Sequence, residues 1–296
     1  MITVVGSINL DLISDVERLP GRGETVPGIA FRTAPGGKGA NQALAARRAG
    51  SPVRMIGAVG RDAFAGEALA LLDKTGVDLT RVEKLSTATG VALIMVGADA
   101  ENIIAVVPGA NGMVDRNALD GVFDGSKMAL FQNEIPLPTV GAAILAARAA
   151  GCRTMLNTAP YQSDAAAFIS EADYLLANET EFDLYANLLG LGGHTREERM
   201  GAYAAKTGRT VIVTLGADGA LAATPQGMVK APAMKVTPVD TVGAGDTFCG
   251  YLGDGIAKGM PLDEAMRRAA IAASLACLKP GAQPAIPTDA EVANHL

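Results

Sequence analysis

Short, continuous apolar runs alternate with longer alanine-rich or amphipathic segments along most of the chain. The short runs are typical of strands buried on both faces, and the longer segments are typical of helices. The pattern predicts strands at 2–5, 53–58, 128–132, 154–157, 174–177 and 210–215 and a hairpin at 219–231. It predicts one helix that follows a glycine turn at 36–39 and ends at Gly50, and others at 63–75, 139–150, 164–170, 179–189, 196–206, 245–258 and 261–277. Repeated strand–helix–strand units predict an α/β fold with a mostly parallel sheet covered by helices on both faces.

Two further β-rich runs, 89–96 and 103–107, depart from this alternation. Gly97, Asp99 and Asn102 lie between them and favour a turn, so the two runs predict a hairpin. With the extended pieces near the N-terminus, the hairpin predicts a small second sheet. We expect one domain over 1–296, with a small β lid formed by approximately 9–34 and 88–107, because no linker or repeat divides the chain.

Composition excludes several classes of partner. The chain has 296 residues, of which 49% are hydrophobic and 19% charged, and its net charge is −6. An acidic chain of this kind carries no electrostatic footprint for nucleic acid or for an anionic membrane, and no run approaches the ~20 apolar residues of a membrane helix. The cysteines Cys152, Cys249 and Cys277 have neither zinc spacing nor an even number, which favours buried thiols in a cytoplasmic protein.

The motif at 240–248 combines two glycines with a carboxylate at the predicted start of a helix. Gly243 and Gly245 leave backbone N–H groups unshielded, and a helix N-terminus attracts anions. A carboxylate at Asp246 would repel a phosphate, unless it takes a proton from the group that attacks the phosphate. The alternative is a glycine turn in which Asp246 only caps the helix.

Other polar side chains follow the predicted strands, at the sheet edge where ligands bind in parallel α/β folds. Asn9 and Asp11 follow the first strand and share one face of an extended segment. Glu134, Asn157 and Thr214 follow later strands. A glycine turn before Lys38 and Asn41 opens a helix, but it lacks the spacing of a P-loop or of a dinucleotide site.

Asn178 and Glu181 are three residues apart at the start of a predicted helix. This spacing fits a capping box, and it also fits a carboxylate near Mg²⁺, which often takes one or two carboxylates and keeps its waters. The two roles are compatible. Together with the glycine motif, they predict phosphoryl transfer by positioning and electrostatics.

The chain resembles the ribokinase family of sugar kinases from end to end. The motifs that carry the resemblance match in order and spacing, and they are the segments 6–11, 36–42, 89–94, 108–111, 178–181, 214–216, 240–248 and 279–284. The resemblance implies a three-layer α/β/α fold with a β lid that often mediates dimerisation. The expected partners are therefore a sugar, ATP or ADP, and a second copy of the chain.

The resemblance also implies the roles of individual residues. It implies a sugar site of Asn9, Asp11, Gly37, Lys38, Asn41 and Glu134. It makes Asp246 the base, with an anion hole of Gly243, Ala244 and Gly245. It implies nucleotide contacts from Asn178, Thr214, Gly216 and Gly219, with Glu181 supporting Mg²⁺. It implies a monovalent cation, usually K⁺, at Asp240, Val242, Cys277, Lys279, Gly281 and Ala285. Ala285 stands where a serine is common, so we expect a weaker dependence on the cation. The positions near Ala270 that would face adenine carry no distinctive side chain.

The implied activity is ATP-dependent phosphorylation of the 5-hydroxyl of D-ribose. The alternatives within the class are kinases for another sugar, a sugar acid or a nucleoside. A nucleoside would want an aromatic platform, and aromatic residues make up only 4% of the chain. A non-catalytic sugar sensor would be expected to lose Asp246 or the glycines, which are present.

Overall fold

A computed structural model of the protein describes residues 1–99 and 101–296. The described residues form a nine-stranded sheet in the order β13-β12-β11-β10-β9-β8-β1-β4-β5. All neighbours are parallel except β11–β12 and β12–β13, so the predicted, mostly parallel sheet is confirmed. Its strands are β1 Ile2–Val5, β4 Val53–Gly60, β5 Asp78–Leu85, β8 Met128–Gln132, β9 Arg153–Asn157, β10 Tyr174–Asn178, β11 Thr210–Thr214, β12 Ala220–Thr224 and β13 Gly227–Ala231.

Helices cover both faces of this sheet and make two separate apolar cores. One face carries α1 Lys38–Arg48, α2 Ala63–Thr75, α6 Ala244–Lys258 and α7 Leu262–Ala276. The other carries α3 Leu137–Ala149, α4 Glu179–Leu188 and α5 Arg196–Thr207. Two short helices, α8 Ala282–Ala285 and α9 Asp289–Ala293, follow α7. The three-layer arrangement places the ends of several parallel strands at one edge.

A second, four-stranded sheet has the order β3-β2-β6-β7. Its strands are β2 Asn9–Val16, β3 Gly28–Gly36, β6 Gly90–Val96 and β7 Asn102–Val107. β6 and β7 are antiparallel, as the predicted hairpin requires, and β2 pairs with both β3 and β6. Residue 100 of the predicted lid segment lies outside the described residues. Apolar side chains on this sheet are unusually exposed: 69% of Phe31 and 51% of Ile104 are accessible.

One prediction of secondary structure was wrong, and one strand was missed. Residues 164–170 form two 3₁₀ turns, Ser163–Ala167 and Ile169–Glu171, because Phe168, with φ −138°, leaves the helical conformation between them. Strand β5 was not predicted, since its sequence DLTRVEKL carries four charges and gives no continuous apolar run. β5 is an edge strand, and such charges are usual at a sheet edge.

No helix among the described residues has both the length and the apolar character needed to cross a membrane.

Candidate active site

The first turn of α6 presents backbone donors to a cavity. Gly243 caps the helix in a left-handed conformation, with φ 77°, and a Cβ there would lie 2.9 Å from atoms of Ala282. Only glycine combines this φ with such a close approach. A Cβ on Gly245 would meet open space, and Ala244 and Gly245 both line the cavity. Because the first amides of a helix have no acceptor within it, this turn can bind an anion.

Asp246, in the same turn, is held by two amide side chains of α1. The carboxylate is 6% exposed. Asn41 Nδ2 donates to its Oδ2 over 2.9 Å, and Gln42 Nε2 donates to its Oδ1 over 2.9 Å. The structure therefore brings the predicted base together with one predicted sugar residue, Asn41. Gln42 had been assigned no role from the sequence.

Glycines allow α1 to begin against the backbone that joins β1 to β2. A Cβ on Gly37, which has φ 87°, would lie 2.7 Å from Asn9 N, and a Cβ on Gly39 would lie 2.6 Å from Ser7 N. The Ala40 amide donates to the Ser7 carbonyl over 2.9 Å. This close contact explains the glycines of the 36–39 turn, and it holds the first turn of α1, with Asn41, beside the end of β1.

Glu134, in the segment after β8, binds both the segment after β1 and the start of α1. Its Oε2 accepts hydrogen bonds from Ser7 Oγ over 2.5 Å and from the Lys38 amide over 3.0 Å. Burial raises the pKa of Asp11 to about 7, and the negative charge of Glu134 adds to the rise. Burial lowers the pKa of the Lys38 ammonium, but Asp246, Glu134 and other negative groups outweigh it, so that this pKa lies above its ordinary value.

Asn9 is buried and belongs to a network that includes Asn111. Asn111 Nδ2 donates to Asn9 Oδ1 over 2.7 Å and to the Ile8 carbonyl over 3.0 Å, while Asn111 Oδ1 accepts from the Ile8 amide over 2.9 Å. Asn111 thus fixes the side chain of Asn9. Its role was missed, because Asn111 lies about a hundred residues further along the chain and its motif gave no indication of a partner.

A cavity of about 550 Å³ opens beside the α6 N-terminus. Three of the predicted nucleotide residues, Thr214, Gly216 and Gly219, line it, and so does Ala270. Asn178 is not part of the lining; it lies opposite Thr214 in the register of β10 and β11. Sequence reasoning missed the segment that completes the wall, which consists of Ala233, Met234, Lys235, Val236 and Pro238. This segment has no regular secondary structure, so no periodicity marked it.

Asn178 and Glu181 form the capping box of α4. Asn178 Oδ1 accepts from the Glu181 amide over 2.8 Å, and Glu181 Oε2 accepts from the Asn178 amide over 3.1 Å. Thr158 Oγ1 adds a longer bond to Oε2, at 3.4 Å. Only one oxygen of Glu181 is occupied by these bonds. The second oxygen can accept from a metal-bound water, so the capping role leaves the predicted magnesium role open.

The Asp240 carboxylate ties together the two loops of the predicted cation site. Its Oδ1 accepts from the Val242 amide over 2.9 Å and its Oδ2 accepts from the Gly281 amide over 2.8 Å. The Cys277 carbonyl accepts from the amides of Val239 and Asp240. Lys279 turns away to pair with Glu291, and Ala285 is buried in α8 and offers only its carbonyl. Nearby backbone carbonyls are hard oxygen donors of the kind a monovalent cation takes, so the loops suit such an ion.

The chain matches the family described as pfkB family carbohydrate kinase over residues 1–289. A ribokinase of Schizosaccharomyces pombe is 38% identical over 98% of this chain and 96% of its own. A deoxyribokinase of Salmonella typhi is 33% identical over 100% of this chain and 98% of its own.

Solved structures agree with these relatives. A ribokinase from Thermotoga maritima superposes with a TM-score of 0.92 at 31% identity, covering 99% of this chain and 98% of that one. An Arabidopsis thaliana ribokinase complexed with ribose and ATP superposes with a TM-score of 0.87 at 31% identity, covering 99% of this chain and 97% of that one. The ribokinase-like fold is therefore confirmed.

Proposed function

We propose that this chain, which belongs to the pfkB family of carbohydrate kinases, transfers the γ-phosphoryl group of ATP to the 5-hydroxyl of D-ribose. The observation that carries the proposal is the position of Asp246. It lies on the first turn of α6, where Asn41 of the predicted sugar site holds its Oδ2 and where Gly245 lines the large cavity. A base between an acceptor site and a donor site is what phosphoryl transfer requires. The Arabidopsis relative, complexed with ribose and ATP, supports both substrates.

On this proposal the sugar lies among Asn9, Asp11, Lys38, Asn41 and Glu134. Carboxylate and amide oxygens accept hydrogen bonds from the sugar hydroxyl groups, and amide or ammonium N–H groups donate hydrogen bonds to the hydroxyl oxygens. Gly37 lets the helix start close enough for these side chains to converge. The buried site also keeps water from the attacking position, which limits wasteful hydrolysis.

During transfer, Asp246 accepts the proton of the attacking hydroxyl. The sugar oxygen forms its bond to the γ-phosphorus as the bond from that phosphorus to the bridging oxygen of ADP breaks. The amides at Gly243, Ala244 and Gly245 would donate to the phosphate oxygens on which negative charge is concentrated. The Ala244 amide would give up its bond of 3.3 Å to the Thr241 carbonyl for this. Lys38 contributes a positive charge beside Asp246. No covalent intermediate with the protein is needed.

Mg²⁺ would neutralise charge on the phosphates, and Glu181 would hold it through water with its second oxygen. The cavity residues Thr214, Gly216 and Gly219 would contact the nucleotide, with Asn178 at its edge. A monovalent cation would lie against the loops of Asp240 and Gly281 and hold the anion hole in place. Residues Val242, Cys277, Lys279 and Ala285 would contribute backbone carbonyls; that of Cys277 would give up one of its N–H donors.

The second sheet is the proposed lid and the proposed dimer interface. Several of its apolar side chains are exposed to solvent, and exposed apolar patches of this kind mark interaction sites. They are Ile29, Phe31, Leu93, Ile103, Ile104, Val106 and Val107. A second copy of the chain that paired its lid with this one would cover them. A cytoplasmic location remains the prediction from the free cysteines.

The function is tested by an ADP-release assay over ribose, deoxyribose, fructose, a keto-deoxy sugar acid and adenosine, with and without K⁺. Ribose is expected to give the highest kcat/KM. Deoxyribose is the second candidate, because a full-length relative is a deoxyribokinase. Preferred turnover of adenosine, or release of ADP that no sugar stimulates, would contradict the proposal.

A further inference from the structure

Two buried glutamines form a chain of side-chain hydrogen bonds that ends on Asp246. Gln132 Nε2, at the end of β8, donates to Gln42 Oε1 over 2.6 Å, and Gln42 Nε2 donates to Asp246 Oδ1 over 2.9 Å. Both glutamines are 0% exposed. We infer that this glutamine relay positions the base: it holds Oδ1 through a donor that is itself fixed by a second hydrogen bond, so that Oδ2, whose donor is Asn41, is the oxygen that takes the proton. The inference rests on the proposed function.

The direction of each bond follows from the charge of Asp246. An ionised carboxylate only accepts hydrogen bonds, so Gln42 must turn its N–H group toward Asp246. The oxygen of Gln42 then faces Gln132 and accepts from it. The remaining oxygen of Gln132 points at Gly6, where a Cβ would lie 1.9 Å away. Gly6 therefore provides the space that this orientation of the relay needs.

The relay makes the two carboxylate oxygens unequal. A proton on Oδ1 would point at the Gln42 N–H group, which cannot turn without breaking its bond to Gln132. Oδ2 accepts from Asn41 Nδ2, and the other polar atom of that side chain, Asn41 Oδ1, is buried without a hydrogen-bond partner among the described residues. A sugar hydroxyl next to the attacking one could donate to Asn41 Oδ1, and this bond would hold the attacking hydroxyl beside Oδ2. The attacking hydroxyl would then donate its own proton to Oδ2.

A packing role alone does not account for the two amides. α1 and α6 already meet through small residues, since a Cβ on Gly250 would lie 2.4 Å from Ala45 Cβ. Apolar side chains would fill the relay positions without burying polar atoms, which cost stability unless every group is paired. One oxygen, Gln132 Oε1, has no hydrogen-bond partner among the described residues. The amides are therefore better explained by their contact with the base.

The test compares Gln42→Met and Gln132→Met with the wild type in the ADP-release assay. Loss of a hydrogen bond to a charged group should lower kcat of Gln42→Met by about ten- to a hundredfold. The sugar and ATP KM values should change by less than about threefold, because neither glutamine is placed against a substrate. The acidic limb of the kcat profile should move to higher pH, since a carboxylate that loses a donor binds its proton more tightly. Gln132→Met should show the same changes, smaller, because Gln42 can still reach Asp246.

Two further variants separate positioning from stability. Gln42→Glu keeps the shape and removes the donor, so its kcat should fall at least as far as that of Gln42→Met. Thr3→Val is the matched control, because Thr3 is equally buried and its hydroxyl bonds to Ser126 Oγ over 2.7 Å, away from the site. It should lower the melting temperature and leave kcat and its pH profile unchanged.

The outcomes distinguish the relay from the proposed function. If wild type turns over a sugar and the glutamine variants lose only melting temperature, as Thr3→Val does, the relay is structural and the inference is overturned. A rise in sugar KM with unchanged kcat would overturn it equally, because it would make Gln42 a binding residue. If wild type shows no sugar-dependent turnover, the proposed function fails first, and the relay fails with it.

Discussion

The raised pKa of Asp11 predicts how sugar affinity depends on pH. Burial and the nearby charge of Glu134 bring this pKa to about 7 in the free protein. A sugar hydroxyl donates best to the ionised carboxylate, so sugar binding should compete with protonation of Asp11. The sugar KM should therefore rise as the pH falls through 7.

The magnitude follows from the titration of one group. Asp11 is about one tenth protonated at pH 8 and about nine tenths protonated at pH 6, so the sugar KM should rise about tenfold between these values. The stability of the free protein depends on the same proton, but in the opposite sense to sugar affinity. Because the folded-state pKa lies above the ordinary 3.8, the folded chain binds this proton more tightly than the unfolded chain. The contribution of Asp11 to stability therefore falls as the pH rises from about 4 to 7.

Initial rates of ADP release at saturating ATP, from pH 5.5 to 8.5, measure this dependence. The KM for ATP serves as the internal control and should not follow the same curve. Asp11→Asn should raise the sugar KM at pH 8 and remove its dependence on pH between 6 and 8. A wild-type sugar KM that is flat over this range, or an Asp11→Asn variant that keeps the wild-type slope, would refute the reasoning.

Four further predictions concern the base, the anion hole, the core and the lid. Asp246→Asn should lower kcat about a hundredfold or more while calorimetry still detects sugar and ATP binding, because the amide cannot take the proton; retention of more than a few per cent of the rate would exclude Asp246 as the base. Gly243→Ala should lower kcat more than it raises the sugar KM, since φ 77° and Ala282 leave no room for a Cβ; unchanged kcat would argue against the anion hole. Arg268→Met should cost about 3–5 kcal/mol in urea unfolding, because its bond of 2.7 Å to the fully buried Asp254 is lost; a cost under about 1 kcal/mol would show that Lys258 suffices as partner. Phe31→Glu should reduce the mass in sedimentation to that of one 30.1 kDa chain, and a wild type that is already monomeric would exclude the lid as a dimer interface.

Sequence patterns predicted the strands that are buried on both faces, because burial on both faces makes a strand continuously apolar. Strand β1, with four buried residues, was predicted with its exact bounds, and so was β8. Edge strand β5 was not predicted, because several of its side chains are exposed to water and its sequence is correspondingly charged. The wall of the cavity at 233–238 was missed for a different reason. It has no regular secondary structure, so no sequence period marks it and its position depends on the elements it packs against.

Candidate site residues could be named from the sequence where one residue type has few structural explanations. A glycine pair before an aspartate at a helix start suggested an anion site; a cavity lies beside Gly245, and the anion site itself stays a prediction. The partners of those residues were not predictable in the same way. Gln42 and Gln132 are 90 positions apart, and nothing in the sequence of either segment indicates that the two side chains meet.

The relay also depends on Gly6, which directly follows the strand predicted at 2–5. The sequence therefore gives this glycine one explanation, that it ends a strand. Its second demand, space for the Gln132 oxygen, exists only because β8 lies next to β1 in the sheet. That pairing joins residues 2–5 to residues 128–131, so it is a property of the topology and not of either segment. A glycine that ends a strand and a glycine that admits a neighbouring amide look the same in a single sequence, and the fold alone separates them.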